Sequence, residues 1–308
     1  MSYPPPTTHG SSALDLALYF STSTYWDSSW YITPELPPLL KDHRPPTYST
    51  SWETRGHLKN IFGGILFADL SICWYSVQFD AANPGADPND MSMVERSAKY
   101  LPRPDAKDKA ALLEAHEMYG ETIAAFAEGF DGTGQYCARG ECWDLANEAL
   151  KYFDQFDYVP KPVPSLSRTH GHLIFCGMAA QNGARLDGRW RGGDDRVRRG
   201  DIVEWRSARV GMPNGGHAML GDPDHTAVIV KDAVPSKSVR DGAVVLPSEL
   251  GTLEVIEQSV GSPPSRMHYD LNMFQEGEMW IYRPIGIEAY VGCLLAPQCP
   301  DNVQAMTI

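Results

Sequence analysis

The 308 residues carry 26 Lys and Arg against 39 Asp and Glu, a net charge of −13, and 43% of them are hydrophobic. That apolar share suffices for a core, and the length suits one large domain or a domain with a substantial extension. A chain this acidic is repelled by phosphate backbones and anionic lipid, which excludes nucleic acid and membrane surfaces as expected partners.

The longest apolar stretch, 61–74, is interrupted by Asp69 and Ser71 and is too short to span a bilayer. The start, Met1-Ser2-Tyr3-Pro4-Pro5-Pro6, lacks the basic and apolar segments of a signal peptide. No membrane insertion and a cytoplasmic location are the expectations. Cysteines 73, 137, 142, 176, 293 and 299 show no framework spacing and read as reduced thiols.

Residues 1–60 are rich in Pro, Ser, Thr and aromatics, and read as an irregular segment packed on a core rather than a free tail. Residues 64–80 are strand-like in content. Over 105–129, Leu112, Leu113, His116, Tyr119, Ile123 and Phe126 fall near a 3.6-residue period, which predicts a helix with Asp105 at its cap. After a turn containing Gly132 and Gly134, a second helix is predicted over 141–156, its apolar face made by Leu145, Ala146, Ala149, Leu150 and Phe153. Beyond Pro164 the pattern changes to short strands, at 172–176, 201–205, 226–231, 253–258 and 278–282. Helices followed by an antiparallel strand run define an α+β class. The expected division is 1–60, a domain over 61–284, and a tail over 285–308.

Nucleophilic cysteine chemistry needs a stabilised thiolate, a histidine in reach and a polar group to orient it. Cys142, in Gly140-Glu141-Cys142-Trp143-Asp144, opens the second helix, where unpaired amides and the helix dipole favour a thiolate. A structural cysteine at a helix start is the plainer alternative. His225 opens the strand Thr226-Ala227-Val228-Ile229-Val230, from which it can face a helix terminus across a cleft. The following strand ends in Glu257, Gln258 and Ser259. Glu257 and Gln258 lie on opposite faces, so either can supply the orienting group. Glu141 and Trp143 flank the nucleophile, and Gln135 precedes it where an oxyanion donor would stand.

No second Cys or His pair accompanies Cys137 and Cys142 at ligand spacing, and Asp194, Asp195, Asp222 and Asp224 lack the calcium-loop pattern. Neither nucleotide-loop fingerprint is present. Neither metal nor cofactor is expected.

The joint order is more specific than its parts. Gly140-Glu141-Cys142-Trp143-Asp144-Leu145-Ala146 is followed by His170-Gly171, Arg199-Gly200-Asp201-Ile202, Asp224-His225-Thr226-Ala227-Val228 and Trp280-Ile281-Tyr282-Arg283-Pro284. With Ala68-Asp69-Leu70-Ser71 and Tyr119-Gly120 upstream, this resembles the C-terminal cysteine-proteinase-fold domain of fungal myosin tail region-interacting proteins. More distantly it is similar to CHAP-type amidases and NlpC-type peptidases of the papain-like superfamily. The resemblance implies a papain-like fold, with helices packed on an antiparallel sheet, and a Cys142–His225 pair. It leaves two functions open: a cysteine hydrolase cleaving an amide or isopeptide bond in a peptide or protein, or a catalytically inactive interaction domain linked to the fungal actin cytoskeleton. A peptide is expected over anionic murein because of the net charge. Arginines 185, 189, 191, 196, 198, 199, 206 and 209 would form a basic patch bordering the cleft and favour acidic segments.

Overall fold

The computed structural model describes residues 7–33, 35–40, 47–166, 168–179, 187–287 and 296–308; Cys293 and Arg185 lie outside these residues. The chain divides into two compact units, Met1–Pro104 with Tyr290–Ile308, and Asp105–Ala289.

In the first unit, the Ser11 hydroxyl accepts the Leu14 N–H and starts helix α1, Ser12–Tyr19, which buries Ala13, Leu16 and Ala17. Strands β1 (Thr47–Arg55), β2 (Leu58–Leu66), β3 (Ile72–Asp80) and β4 (Val94–Leu101) form an antiparallel meander, and Met306–Thr307 pairs with β4. The aromatics of the N-terminal segment fill this unit's core: Phe20 stacks on Tyr75 at 4.6 Å, and Trp26 and Trp30 lie at 5.7 Å. On β4 the inward positions are Val94, Arg96 and Ala98. The Arg96 guanidinium meets the Trp26 ring at 4.4 Å and donates to the Thr24 carbonyl.

The strand-like run at 64–80 is thus a hairpin, turned at 67–71. Asp69 makes that turn by accepting the Ser71 N–H at 3.0 Å, while Leu70 sits at φ 64. No break falls at 60, because β1 pairs with β2 from Thr47↔Leu66 to Arg55↔Leu58 and shares one sheet with β3 and β4.

The second unit begins with helix α2, Lys109–Ala115, a π-helical turn at His116–Gly120, and α3, Glu121–Glu128. The predicted helix is present, but its cap is Asp108 rather than Asp105: the Asp108 carboxylate accepts the Ala111 N–H at 2.8 Å. Helix α4, Cys142–Lys151, continues into a 3₁₀ turn at Tyr152–Gln155. Strands β5 (His172–Ala179), β6 (Asp187–Trp190), β7 (Ile202–Gly211), β8 (His217–Ile229), β9 (Thr252–Ser259), β10 (Ser262–Asp270) and β11 (Phe274–Arg283) make one antiparallel sheet in the order β10-β9-β8-β7-β11-β5-β6. The architecture is α+β, as expected.

Alternation sorts the side chains of this sheet to two cores. Ile202, Val228, Val230 and Ile256 meet Ile123, Leu145, Ala146 and Ala149 of the helices. Val203, Trp205, Ala227, Ile229 and Val255 face the opposite side, with Trp190 and Leu250. Each large apolar side chain so buried contributes about 1.5–3 kcal/mol.

Two further contacts pin the helices to the sheet. Gly200, at φ 86, crosses Gly120 so closely that a Cβ would lie 2.1 Å from the Gly120 carbonyl oxygen, so no larger residue fits. Arg283 is fully buried; its guanidinium bonds Asp201 at 2.8 and 2.9 Å, and also Asp194. The Arg-Gly-Asp and Tyr-Arg-Pro segments therefore carry architecture.

Candidate active site

The residues before α4 turn sharply into the helix. Glu141 is extended (φ −74, ψ 149) and forms the N-cap position. Buried Asp144 accepts the N–H groups of Arg139 at 3.0 Å and Glu141 at 3.2 Å, and pairs with the Arg139 guanidinium at 2.8 Å. This fixes the loop and places a carboxylate in the first turn, the favourable end of the helix dipole. Cys142 is the first helical residue. It is half-buried, with its sulfur 3.9 Å from the carbonyl oxygen of Asp224. The amides of Cys142 and Trp143 are the first of the helix, where N–H groups have no intrahelical acceptor.

His225 stands on β8 opposite Trp205 of β7 and is 8% exposed. Its Nε2 lies 2.9 Å from Oε2 of Glu257, and the Cys142 sulfur lies beside the main chain of the preceding residue, 3.9 Å from the Asp224 carbonyl oxygen. Burial alone would discharge the imidazole. The Cys142 sulfur and the Glu257 carboxylate together outweigh it, and raise the His225 pKa to about 10. The other carboxylate oxygen of Glu257 accepts the Tyr269 hydroxyl at 2.6 Å. Imidazole, carboxylate and phenol thus form one hydrogen-bonded row, with the Cys142 sulfur next to the strand residue that precedes the imidazole.

The remaining predicted site residues fall elsewhere. Gln258 is on the opposite face of β9 from Glu257 and does not reach His225. Its amide accepts the Cys137 N–H at 2.9 Å and donates to the carbonyls of Cys137 at 3.0 Å and Glu141 at 2.9 Å. It therefore clamps the loop ahead of Cys142. Gln135 is exposed on the preceding turn, its N–H donating to the Thr133 hydroxyl; no hydrogen bond joins its side chain to Cys142 or His225 among the described residues. Glu141 is exposed and Trp143 half-buried. The Asp224 carboxylate pairs with Arg168 at 2.8 Å.

Five of the eight arginines expected to form a basic patch are held in ion pairs. Arg189 meets Asp187, Arg196 meets Asp195, Arg198 meets Asp194, Arg199 meets Glu121 and Glu128, and Arg209 meets Glu276. Arg199 also bonds the Val230 carbonyl at 2.8 Å. That is five residues beyond His225, about 16 Å along an extended strand. The segment before β7 therefore meets the chain just past the C-terminal end of β8 rather than at His225. The same pairs occupy Asp194 and Asp195, and no cluster of three or more His, Cys, Asp or Glu among the described residues is placed to hold a metal.

A second buried polar group involves residues of β7 and β8. His170 lies 3.2 Å from Glu204 and 2.8 Å from the Ser165 hydroxyl, while Thr226 donates to Glu204 at 2.6 Å. Burial lowers the His170 pKa to about 3 and pushes Glu204 well above the usual carboxylate range. In the sequence the group shows only as the His170-Gly171 motif and as the adjacency of Thr226 to His225.

A cysteine at a helix N-terminus, facing a histidine and a carboxylate on neighbouring antiparallel strands, defines a cysteine-proteinase-fold domain. The AIM3/BBC1 cysteine proteinase-fold domain family matches residues 96–295, and the chain belongs to that family. It is also similar to "Altered inheritance of mitochondria protein 3" of Debaryomyces hansenii, at 28% identity over 268 residues. That match covers 83% of this chain and 26% of the relative, so the chain spans about a quarter of the relative's length. No solved structure matches the chain significantly. No helix among the described residues is long and apolar enough to cross a membrane.

Proposed function

We propose that this domain is a cysteine hydrolase acting on an amide or isopeptide bond of a peptide or protein. The single observation that supports the reading is His225 held by Glu257, Nε2 2.9 Å from the carboxylate, directly after Asp224, whose carbonyl oxygen lies 3.9 Å from the Cys142 sulfur at a helix start. In this reading the thiol proton of Cys142 passes to His225, and the thiolate attacks the substrate carbonyl carbon. The amides of Cys142 and Trp143 receive the oxyanion. The tetrahedral adduct collapses as His225 returns its proton to the leaving nitrogen, which breaks the C–N bond and leaves a thioester. His225 then takes a proton from water, the hydroxide attacks the thioester, and the thiolate departs. Glu257 holds the ring in orientation and stabilises its charged form.

Residues pointing away from this row have other roles. Gln258 shapes the loop rather than contacting substrate, and Gln135 has no part in the oxyanion site. The test is turnover of a peptide library by the wild-type chain and by Cys142→Ala. Cleavage by the wild type that the variant lacks is the expected result. Equal, background-level activity from both would overturn the hydrolase reading and leave an interaction domain; cleavage of murein fragments but of no peptide would overturn the substrate class.

A further inference from the structure

We propose that Tyr269 is a positioning residue of this site, its hydroxyl holding one oxygen of Glu257 so that the other stays on His225. The inference rests on the hydrolase reading and adds a fourth member to the site. A carboxylate turns about a broad, roughly two-fold torsion, and a single bond to the imidazole leaves that rotation poorly restrained. Here both oxygens are engaged: Oε2 by His225 at 2.9 Å and Oε1 by the Tyr269 hydroxyl at 2.6 Å.

Tyr269 is itself held. It stands on β10 opposite Leu253 and is 1% exposed. Its ring meets the Trp205 ring edge-on at 6.0 Å and 71°, and Trp205 is the residue paired with His225 in the β7–β8 ladder. The aromatic pair thus fixes the hydroxyl in relation to the strand that carries the base. A phenylalanine would fill the same apolar pocket without the desolvation of a buried hydroxyl, so the hydrogen bond is what the tyrosine adds.

The test needs no substrate. The rate of Cys142 alkylation by iodoacetamide is followed from pH 5 to 9 in the wild type, Tyr269→Phe, Glu257→Gln and the double variant, with peptide mapping and thermal melting of each. Tyr269→Phe keeps the ring and its packing. It should slow Cys142 alkylation at neutral pH about tenfold, the order expected for losing one hydrogen bond to a charged group. The acid limb of its rate profile should move to higher pH. In the Glu257→Gln background the same change should have no further effect, since a positioning residue acts through its partner. Equal slowing in both backgrounds, or no slowing in either, overturns the inference while a fast wild-type Cys142 leaves the hydrolase reading standing. A wild-type Cys142 no faster than in the urea-unfolded chain refutes the hydrolase reading, and the inference with it.

Discussion

Replacing Gln258 with Leu removes the clamp on the nucleophile loop while keeping nearly the same volume. Gln258 is 1% exposed and its amide closes three hydrogen bonds to main chain, one from the Cys137 N–H and two to the carbonyls of Cys137 and Glu141. Leucine satisfies none of them. Only the Cys137 N–H is left orphaned, because the Cys137 and Glu141 carbonyls still accept the Gly140 and Asp144 N–H groups, each at 3.0 Å. An orphaned buried backbone group costs about 1–3 kcal/mol, and that is the expected loss, read as a fall in the urea midpoint at constant m-value. A second readout is local. Cys137 is 2% exposed, and its thiol is raised to about 11, by burial first and by Glu148 and Asp144 second. If the clamp holds this loop, Gln258→Leu should let thiol reagents reach Cys137 at neutral pH, with a label absent from the wild type. A loss under 1 kcal/mol with Cys137 still protected would refute the assignment.

Two other outcomes follow from the same geometry. Iodoacetamide at pH 6 should label Cys142 before Cys73, Cys137 or Cys176, because burial raises the pKa of each of those three thiols while Cys142 is half-buried at a helix start; peptide mapping that finds Cys73 or Cys176 modified first would show the nucleophile to be misassigned. Stability should also depend on pH through His225, whose pKa is about 10 folded against about 6.5 unfolded. The folded state holds the proton more tightly, so this contribution is complete below pH 6.5 and is lost as pH rises through 10. The gap caps it at about 5 kcal/mol. The stability advantage of wild type over His225→Gln should shrink across that window in urea titrations, and a constant difference would contradict the charged ring.

Part of the row could be read from the sequence. The apolar spacing of Leu145, Ala146 and Ala149 puts Cys142 at a helix start, and the run from Ala227 to Val230 puts His225 next to a buried strand segment, although β8 begins at His217 and His225 lies within it rather than at its mouth. Choosing between Glu257 and Gln258 was beyond that pattern, because two adjacent polar residues alternate faces and only the packing of Ile256 against α4 decides which face meets the helix. Tyr269 was invisible for a similar reason: its hydroxyl reaches Glu257 only through the β9–β10 hairpin and the lean of the ring along the strand. The arginines are partly neutralised by close neighbours, Arg189 by Asp187, Arg196 by Asp195 and Arg198 by Asp194, and partly by distant ones. Arg199 finds Glu121 and Glu128, 78 and 71 positions earlier, which no local charge pattern announces.

The space for the row comes from a defect in the sheet. β7 and β8 pair over a long stretch, from Ile202↔Val228 to Gly211↔His217, but β8 and β9 pair only at Val228↔Ile256 and Ile229↔Val255. Beyond those two pairs the strands part, and His225 and Glu257 lie on the parted side. The gap also leaves the Glu257 end of β9 short of ladder bonds, and side chains take their place: Gln258 bonds the α4 loop on one face, and Glu257 bonds His225 and Tyr269 on the other. Consecutive residues of one strand therefore tether the nucleophile's loop and the base. A shift of β9 by one residue would exchange their faces and undo both sets of bonds at once.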